Sequence, residues 1–227
     1  MAKDFDVFIP EIVPLCPGCP DYLIERVTRE AIIELCKDAK VWRCELEPIT
    51  LMAGEHEYEL DIPNQAALDS IHYLSYNGQL LEPVTERMLE NRTAEWRTEE
   101  GTPRYYIKKS NNKVWIVPKP STNELNAITV GAILKPNRTA TTFEDEIYED
   151  YFDEVVNNVL ARLMRMPSKD WSDKRSAGEY YALYAKGAAD ARKRARRADG
   201  NNLAPVVGYG GIGGSNRYRG DDYGRLK

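Results

Sequence analysis

FEDEIYEDYFDEVVNNVLARLMRM, residues 143–166, followed by PSKDWSDKRSAGEYYALYAKGAADARKRARRAD, residues 167–199, reads as two long helices folded back on each other. In the first, Tyr148, Phe152, Val155, Val159 and Leu163 recur at steps of four and three, which places them on one face of an α-helix. Pro167 stops that helix and MPSKDWSD makes the turn. In the second, Ala177, Tyr181, Tyr184, Ala188, Ala191, Ala195 and Ala198 keep the same spacing. A seam of mostly small residues lets a partner helix approach closely.

Working outward, residues 1–20 hold Pro10, Pro14, Pro17 and Pro20, which predicts an extended lead. Asp21 then opens a helix to about Lys40, with Ile24, Val27, Ala31, Leu35 and Cys36 on one face and Ile32 beside it. An amphipathic helix of this kind needs a partner, and the later hairpin is the obvious one. From Glu45 the period changes to two. Ile49 and Leu51 precede an Ala53-Gly54 turn, and His56, Tyr58 and Leu60 alternate with acids. A strand from about Leu68 to Tyr76 meets Asn77-Gly78, a strong hairpin signal, with its partner at Gln79-Leu80-Leu81 ending at Pro83. Thr85 to Trp96 can hold a short helix. Tyr105–Ile107, a turn at Ser110-Asn111-Asn112, Val114–Val117 and Ala127–Leu134 complete about six strands in an antiparallel sheet or small sandwich. Thr141 or Thr142 is the expected cap of the helix that follows.

The fold class expected is therefore α+β. Residues 21–42 and 141–199 form a helical bundle, with a β-rich domain inserted over 45–136. Residues 1–20 are the lead. Residues 200–227, GNNLAPVVGYGGIGGSNRYRGDDYGRLK, contain eight glycines and little apolar mass, predicting a disordered or extended arm. Fully extended, those residues reach at most ~90–100 Å.

The net charge of −5 conceals an asymmetry. Residues 1–166 carry 18 Lys and Arg against 29 Asp and Glu, whereas residues 167–227 carry 13 against 7. Opposite charge at the two ends favours partners, or neighbouring copies, of complementary charge. The acids concentrate at Glu144–Glu154. Only those in the first turn gain from the helix dipole, so Glu149, Asp150 and Asp153 read as a solvated or partner-facing surface. The cations concentrate at Arg192, Lys193, Arg194, Arg196 and Arg197, closed by Asp199-Gly200. They read either as a solvated helix end or as a contact for phosphates or an acidic protein surface. In the arm, Tyr209, Arg217, Tyr218, Arg219, Tyr223 and Arg225 are spaced anchors for a partner, or an Arg/Tyr-rich nucleic-acid tail without an RGG triplet.

Chemistry-bearing motifs are scarce. Cys16-Pro17-Gly18-Cys19 lacks the preceding strand and helix N-terminus of a redox pair. Adding Cys36 and Cys44 makes no standard zinc knuckle, so the cysteines read as small hydrophobes or turn residues. His56 and His72 lie among the strands, far from the helix carboxylates, and no Glu-x-x-His pair exists to build a di-iron site. Without a phosphate loop or nucleophile elbow, no catalytic residue, metal or cofactor is assigned. Asn91-Arg92-Thr93 and Asn137-Arg138-Thr139 match the glycosylation sequon by coincidence. The first residues lack the basic and apolar regions of a secretory signal, and no apolar run approaches the ~20 residues that span a bilayer. Cytoplasmic synthesis and no membrane partner are expected.

Several short motifs, in order, resemble the head-to-tail connector, or adaptor, proteins of tailed bacteriophages. They are Pro17-Gly18-Cys19-Pro20-Asp21 leading into Ala31, Leu35 and Cys36, with Trp42 just beyond; Tyr76-Asn77-Gly78; Gly101-Thr102-Pro103-Arg104-Tyr105-Tyr106; Pro118-Lys119-Pro120; Leu134-Lys135-Pro136; Leu163-Met164-Arg165-Met166-Pro167 with Trp171; and Tyr180-Tyr181. The resemblance spans about residues 10–198. It implies a ring, commonly a dodecamer, in the virion neck, stacked under the portal protein and meeting tail or nozzle proteins. Genomic DNA would pass through the channel without sequence-specific contact, and synthesis would be in the host cytoplasm. The arm's docking on the portal is also only implied. The competing function is a nucleic-acid-binding protein that uses Arg192–Arg197 and the tail.

Overall fold

The lead folds instead of extending. In the structure, a computed structural model describing residues 2–93, 95–109 and 112–198, β1 (Ala2–Asp4) is followed by a 3-10 helix (Phe5–Phe8) and α1 (Ile9–Ile12). The expectation of an extended lead over 1–20 is corrected here. Pro10 sits in the first turn of α1, where its missing N–H breaks no helical bond. Phe5, Phe8 and Ile12 recur at helical spacing and are buried. The chain then turns through Cys16 and Cys19, with Gly18 at φ +81°, a left-handed conformation that favours glycine.

α2 (Asp21–Ala39) buries Ile24, Val27, Ala31, Ile32, Leu35, Cys36 and Ala39. It ends at Lys40, whose left-handed backbone (φ +58°) donates its N–H to the Cys36 carbonyl. The strands that follow are β2 (Arg43–Leu51), β3 (Glu57–Glu59), β4 (Ala66–Tyr76), β5 (Gln79–Leu80) and β6 (Glu82–Pro83). Asn77 and Gly78, both at positive φ, turn β4 into β5 as expected. α3 (Glu86–Arg92) starts at Thr85, whose hydroxyl accepts from the Met88 N–H at 3.3 Å. Then come β7 (Glu100–Gly101), β8 (Tyr105–Lys108), β9 (Lys113–Val117), β10 (Lys119–Pro120), β11 (Glu124–Pro136) and β12 (Thr142–Glu144). The expected turn residues Ser110 and Asn111 lie outside the described residues.

One sheet runs β2-β11-β4-β5 and a second β3-β9-β8-β6; β1-β12 and β7-β10 are two-stranded. The fold is mixed α+β, with more strands than the six read from the sequence. The two main sheets are largely antiparallel as expected, but β6 pairs with β8, and β7 with β10, in parallel. Pro83 shows why the first arises. Glu82 and Val84 on either side of it donate to Arg104 and Tyr106 at 3.0 Å, so the residue with no N–H sits on an edge without breaking the ladder. Thr142 belongs to β12, facing Asp4 of β1, and does not cap the next helix as expected; Glu144 holds the cap position.

α4 (Asp145–Met164), kinked at Tyr151, and α5 (Lys174–Ala198) pack on each other, and α2 packs on both. Asp173 starts α5 by accepting from the Arg175 and Ser176 N–H groups at 2.9 and 3.2 Å. One continuous core joins α2, α4, α5, the lead and the β2-β11-β4 sheet; Val84, Leu89, Trp96, Ile107 and Val117 make a smaller one. Val155, Val159 and Leu163 are fully buried, and Tyr148 and Phe152 are half-buried around Phe8. Phe8 stacks on Phe152 at 5.3 Å and meets Tyr148 edge-on at 5.5 Å. On α5, Ala177, Tyr184, Ala188 and Ala191 are buried and Ala195 half-buried, but Tyr181 faces outward. Half-buried Tyr180 packs against the core beside it. The Ala198 side chain, Asp199-Gly200 and the whole arm lie outside what is described.

Gly131 offers a direct test of the sheet. It sits opposite Tyr73, whose ring crosses it and whose hydroxyl donates to Glu45 at 2.7 Å. A Cβ at Gly131 would lie 2.2–2.8 Å from ring atoms. Gly131→Ala should displace the ring and lower stability by about 1–3 kcal/mol. Thermal and denaturant unfolding would measure it, and an unchanged midpoint would contradict this packing.

Candidate assembly surface

The acidic start of α4 is held by the lead. Lys3 bridges Asp145 and Glu149, each at 2.9 Å, and lies over the Tyr148 ring at 3.8 Å. Hydrogen bonds to Asp145 and then Glu149 raise the Lys3 ammonium above its ordinary range. Glu149 is thus engaged within the chain. Glu146, Asp150 and Asp153 are exposed and have no ion pair among the described residues.

The basic end of α5 divides in the same way. Arg194 reaches Glu154 at 3.8 Å and the Tyr151 ring at 5.5 Å, and shares a crevice with Val41, Arg43 and Asp150. Gly187 makes room for this contact, since a Cβ there would lie 2.5 Å from Glu154 Cγ. Lys193 pairs with Asp190 at 2.9 Å. Arg192, Arg196 and Arg197 are exposed and find no carboxylate among the described residues. The antiparallel hairpin therefore brings the two charged clusters to one end of the molecule, and Arg194 bridges them through Glu154. Tyr209, Arg217, Tyr218, Arg219, Tyr223 and Arg225 lie outside the described residues.

A polar lattice between α2 and the hairpin escaped the sequence reading. Asn158, 1% exposed, donates from Nδ2 to Glu34 Oε2 at 2.7 Å. Arg162 donates to the same oxygen at 2.7 Å, to Asn158 Oδ1 at 3.1 Å and to Glu30 at 3.2 Å. Tyr184 donates to Asp38 at 2.8 Å, and its phenol is pushed up by burial and by that carboxylate. Only Asn158, a polar residue inside an apolar run, signals this lattice, because its acidic partner Glu34 stands 124 residues away. All four cysteines are free thiols, and Cys16, Cys19 and Cys36 are buried. Burial pushes the Cys16 thiol up to about 11 and raises Cys36 and Cys19 as well, the opposite of what a nucleophilic thiolate needs. Among the described residues, no group of His, Cys, Asp and Glu is placed to hold a metal, and no helix is long and apolar enough to cross a membrane.

The sequence profile of the SU10 adaptor protein family matches residues 14–207, from the end of the lead to beyond α5. A search of curated proteins returned no match.

The lattice predicts a pH dependence. Burial pushes the Glu34 carboxyl up, but hydrogen bonds from Arg162 and Asn158 outweigh it and hold the group below its ordinary range. A depressed carboxylate contributes stability that is present above its unfolded value of about 4.3 and is lost as pH falls through the folded value. Glu34→Gln should cost about 1–2 kcal/mol at neutral pH, and the gap to the parent should close below about pH 4. Denaturant midpoints from pH 7 to 3 measure it; a gap that widens in acid would contradict it.

Proposed function

The chain belongs to the SU10 adaptor protein family, phage head-to-tail adaptors, and from that premise we propose that it forms a ring joining the portal to the tail. The ring extends the channel through which genomic DNA passes, and it occupies the virion neck. A dodecamer, and portal docking by the arm through Tyr209, Arg217, Tyr218, Arg219, Tyr223 and Arg225, are parts of the same reading that rest on family resemblance. The family match over residues 14–207 is the observation that carries it.

Geometry supports the reading without catalysis. A closing ring uses two different patches on each copy, and they must complement one another. Asp150 and Asp153 on α4, and Arg192, Arg196 and Arg197 at the end of α5, are charges that the described residues leave uncompensated. Glu149 and Arg194 belong to the same surfaces but are braced by Lys3 and Glu154. The α5 cations lead directly into the arm, which suits an outward contact with the portal.

Electron microscopy of the purified protein, with and without portal, tests this. A ring of defined subunit number on the portal is expected; a monomer that never joins the portal at any salt concentration would overturn it. The three uncompensated arginines also favour a second reading, nucleic-acid binding. In that case duplex DNA retention would fall steeply with salt, and replacing Arg192, Lys193, Arg194, Arg196 and Arg197 with Gln would abolish it. Under the ring reading those replacements weaken portal association and leave any DNA retention unchanged.

A further inference from the structure

The surface of α2 that faces away from the core carries a cationic groove. One part, of about 1010 Å³, is lined by Arg26, Arg29, Lys37, Lys135 and Arg138 together with Glu30, Glu34 and Asp38. It continues past Arg162 into a second part, of about 460 Å³, that ends at Arg165 and Tyr181. The acids in this groove are already engaged. Glu30 and Glu34 accept from Arg162, and Asp38 accepts from Tyr184. Lys135 pairs with Asp69. Arg26, Arg29, Lys37, Arg138 and Arg165 are left without a carboxylate among the described residues. The Arg29 guanidinium lies 5.2 Å from the Phe5 ring, and its buried Nε–H finds no acceptor among the described residues. A concentration of cations here is the more telling because residues 1–166 as a whole are strongly acidic.

We infer that this groove receives the acidic face of α4, Glu146, Asp150 and Asp153, from a neighbouring copy of the chain. The inference rests on the ring reading and names its interface. Charge complementarity carries it. In a head-to-tail ring each copy supplies both halves of the contact, and this chain presents uncompensated carboxylates on one element and uncompensated guanidinium groups on another. The exposed end of α5 is then free for a partner outside the ring. Within a copy, Lys3 takes up Asp145 and Glu149 and Arg194 takes up Glu154, which leaves Glu146, Asp150 and Asp153 for the next one. Lining the groove with Glu30 and Glu34 orients Arg162 across its floor, so the exposed cations at its rim, Arg26 and Arg138, meet the incoming carboxylates.

Two charge-reversed full-length variants test this together. The first, Arg26→Glu with Arg138→Glu, makes the groove acidic; the second, Asp150→Arg with Asp153→Arg, makes the α4 face basic. Each variant alone should self-associate at least about tenfold more weakly than the parent, with unchanged circular dichroism, because like charges then face each other. A one-to-one mixture should recover assembly, since reversed face and reversed groove complement one another and a misfolded variant could not rescue its partner. Sedimentation at low and moderate salt, with and without portal, reads the result. A first variant that assembles like the parent, or a mixture that fails where the parent assembles, overturns the inference and leaves the ring reading standing. A parent chain that never self-associates under any of these conditions overturns both.

Discussion

The close approach of α5 to α4 is the constraint on which the rest of the structure depends. Ala177, Ala188 and Ala191 offer little side-chain bulk, so the helix backbones come near enough for Val155, Val159 and Leu163 to be fully buried. Burying each such side chain contributes about 1.5–3 kcal/mol. Gly187 extends the same principle to a polar group, leaving space for Glu154 to lie across α5 and reach Arg194. The one large buried residue of the seam, Tyr184, carries a hydroxyl that ties α5 to α2 through Asp38. A larger residue anywhere on this seam would move α5, and the arginines at its end would move with it.

Around that seam, polar contacts decide which charges remain available. Lys3 engages Asp145 and Glu149, Arg162 engages Glu30 and Glu34, and Lys135 engages Asp69. These contacts are partly exposed, so their individual contributions to stability are modest. Their consequence is selective. They remove some charges from the surface and leave others, grouped by sign, on the α4 face, the α2 groove and the α5 end. Separated, uncompensated patches favour association with partners of complementary charge.

Much of this was legible in the chain because helical period and turn chemistry are local. The apolar spacing of α2 and α4, the Asn77-Gly78 hairpin and the acidic-to-basic polarity of the hairpin needed no tertiary information. What escaped the sequence depended on distant partners. The prolines of the lead suggested extension, but Phe5 and Phe8 gain more by packing against Phe143, Tyr148 and Phe152 as a helical turn. Tyr181 shared the seam's spacing, but it lies outward, beneath the Arg165 guanidinium. Pro83 looked like a terminator and became an edge-strand residue because its neighbours supply the hydrogen bonds. The α2 groove was invisible for the same reason: Arg26 and Arg138 are more than 110 residues apart and meet only in the fold.

The central claim is that copies of this chain assemble head to tail through patches of opposite charge. Zero-length carbodiimide cross-linking of the assembled protein, using a mixture of isotope-labelled and unlabelled copies, tests it most directly. A link between Lys37 of one copy and Asp150 or Asp153 of another is predicted. Links confined to single copies, or inter-copy links that join the same surface of both partners, would contradict it.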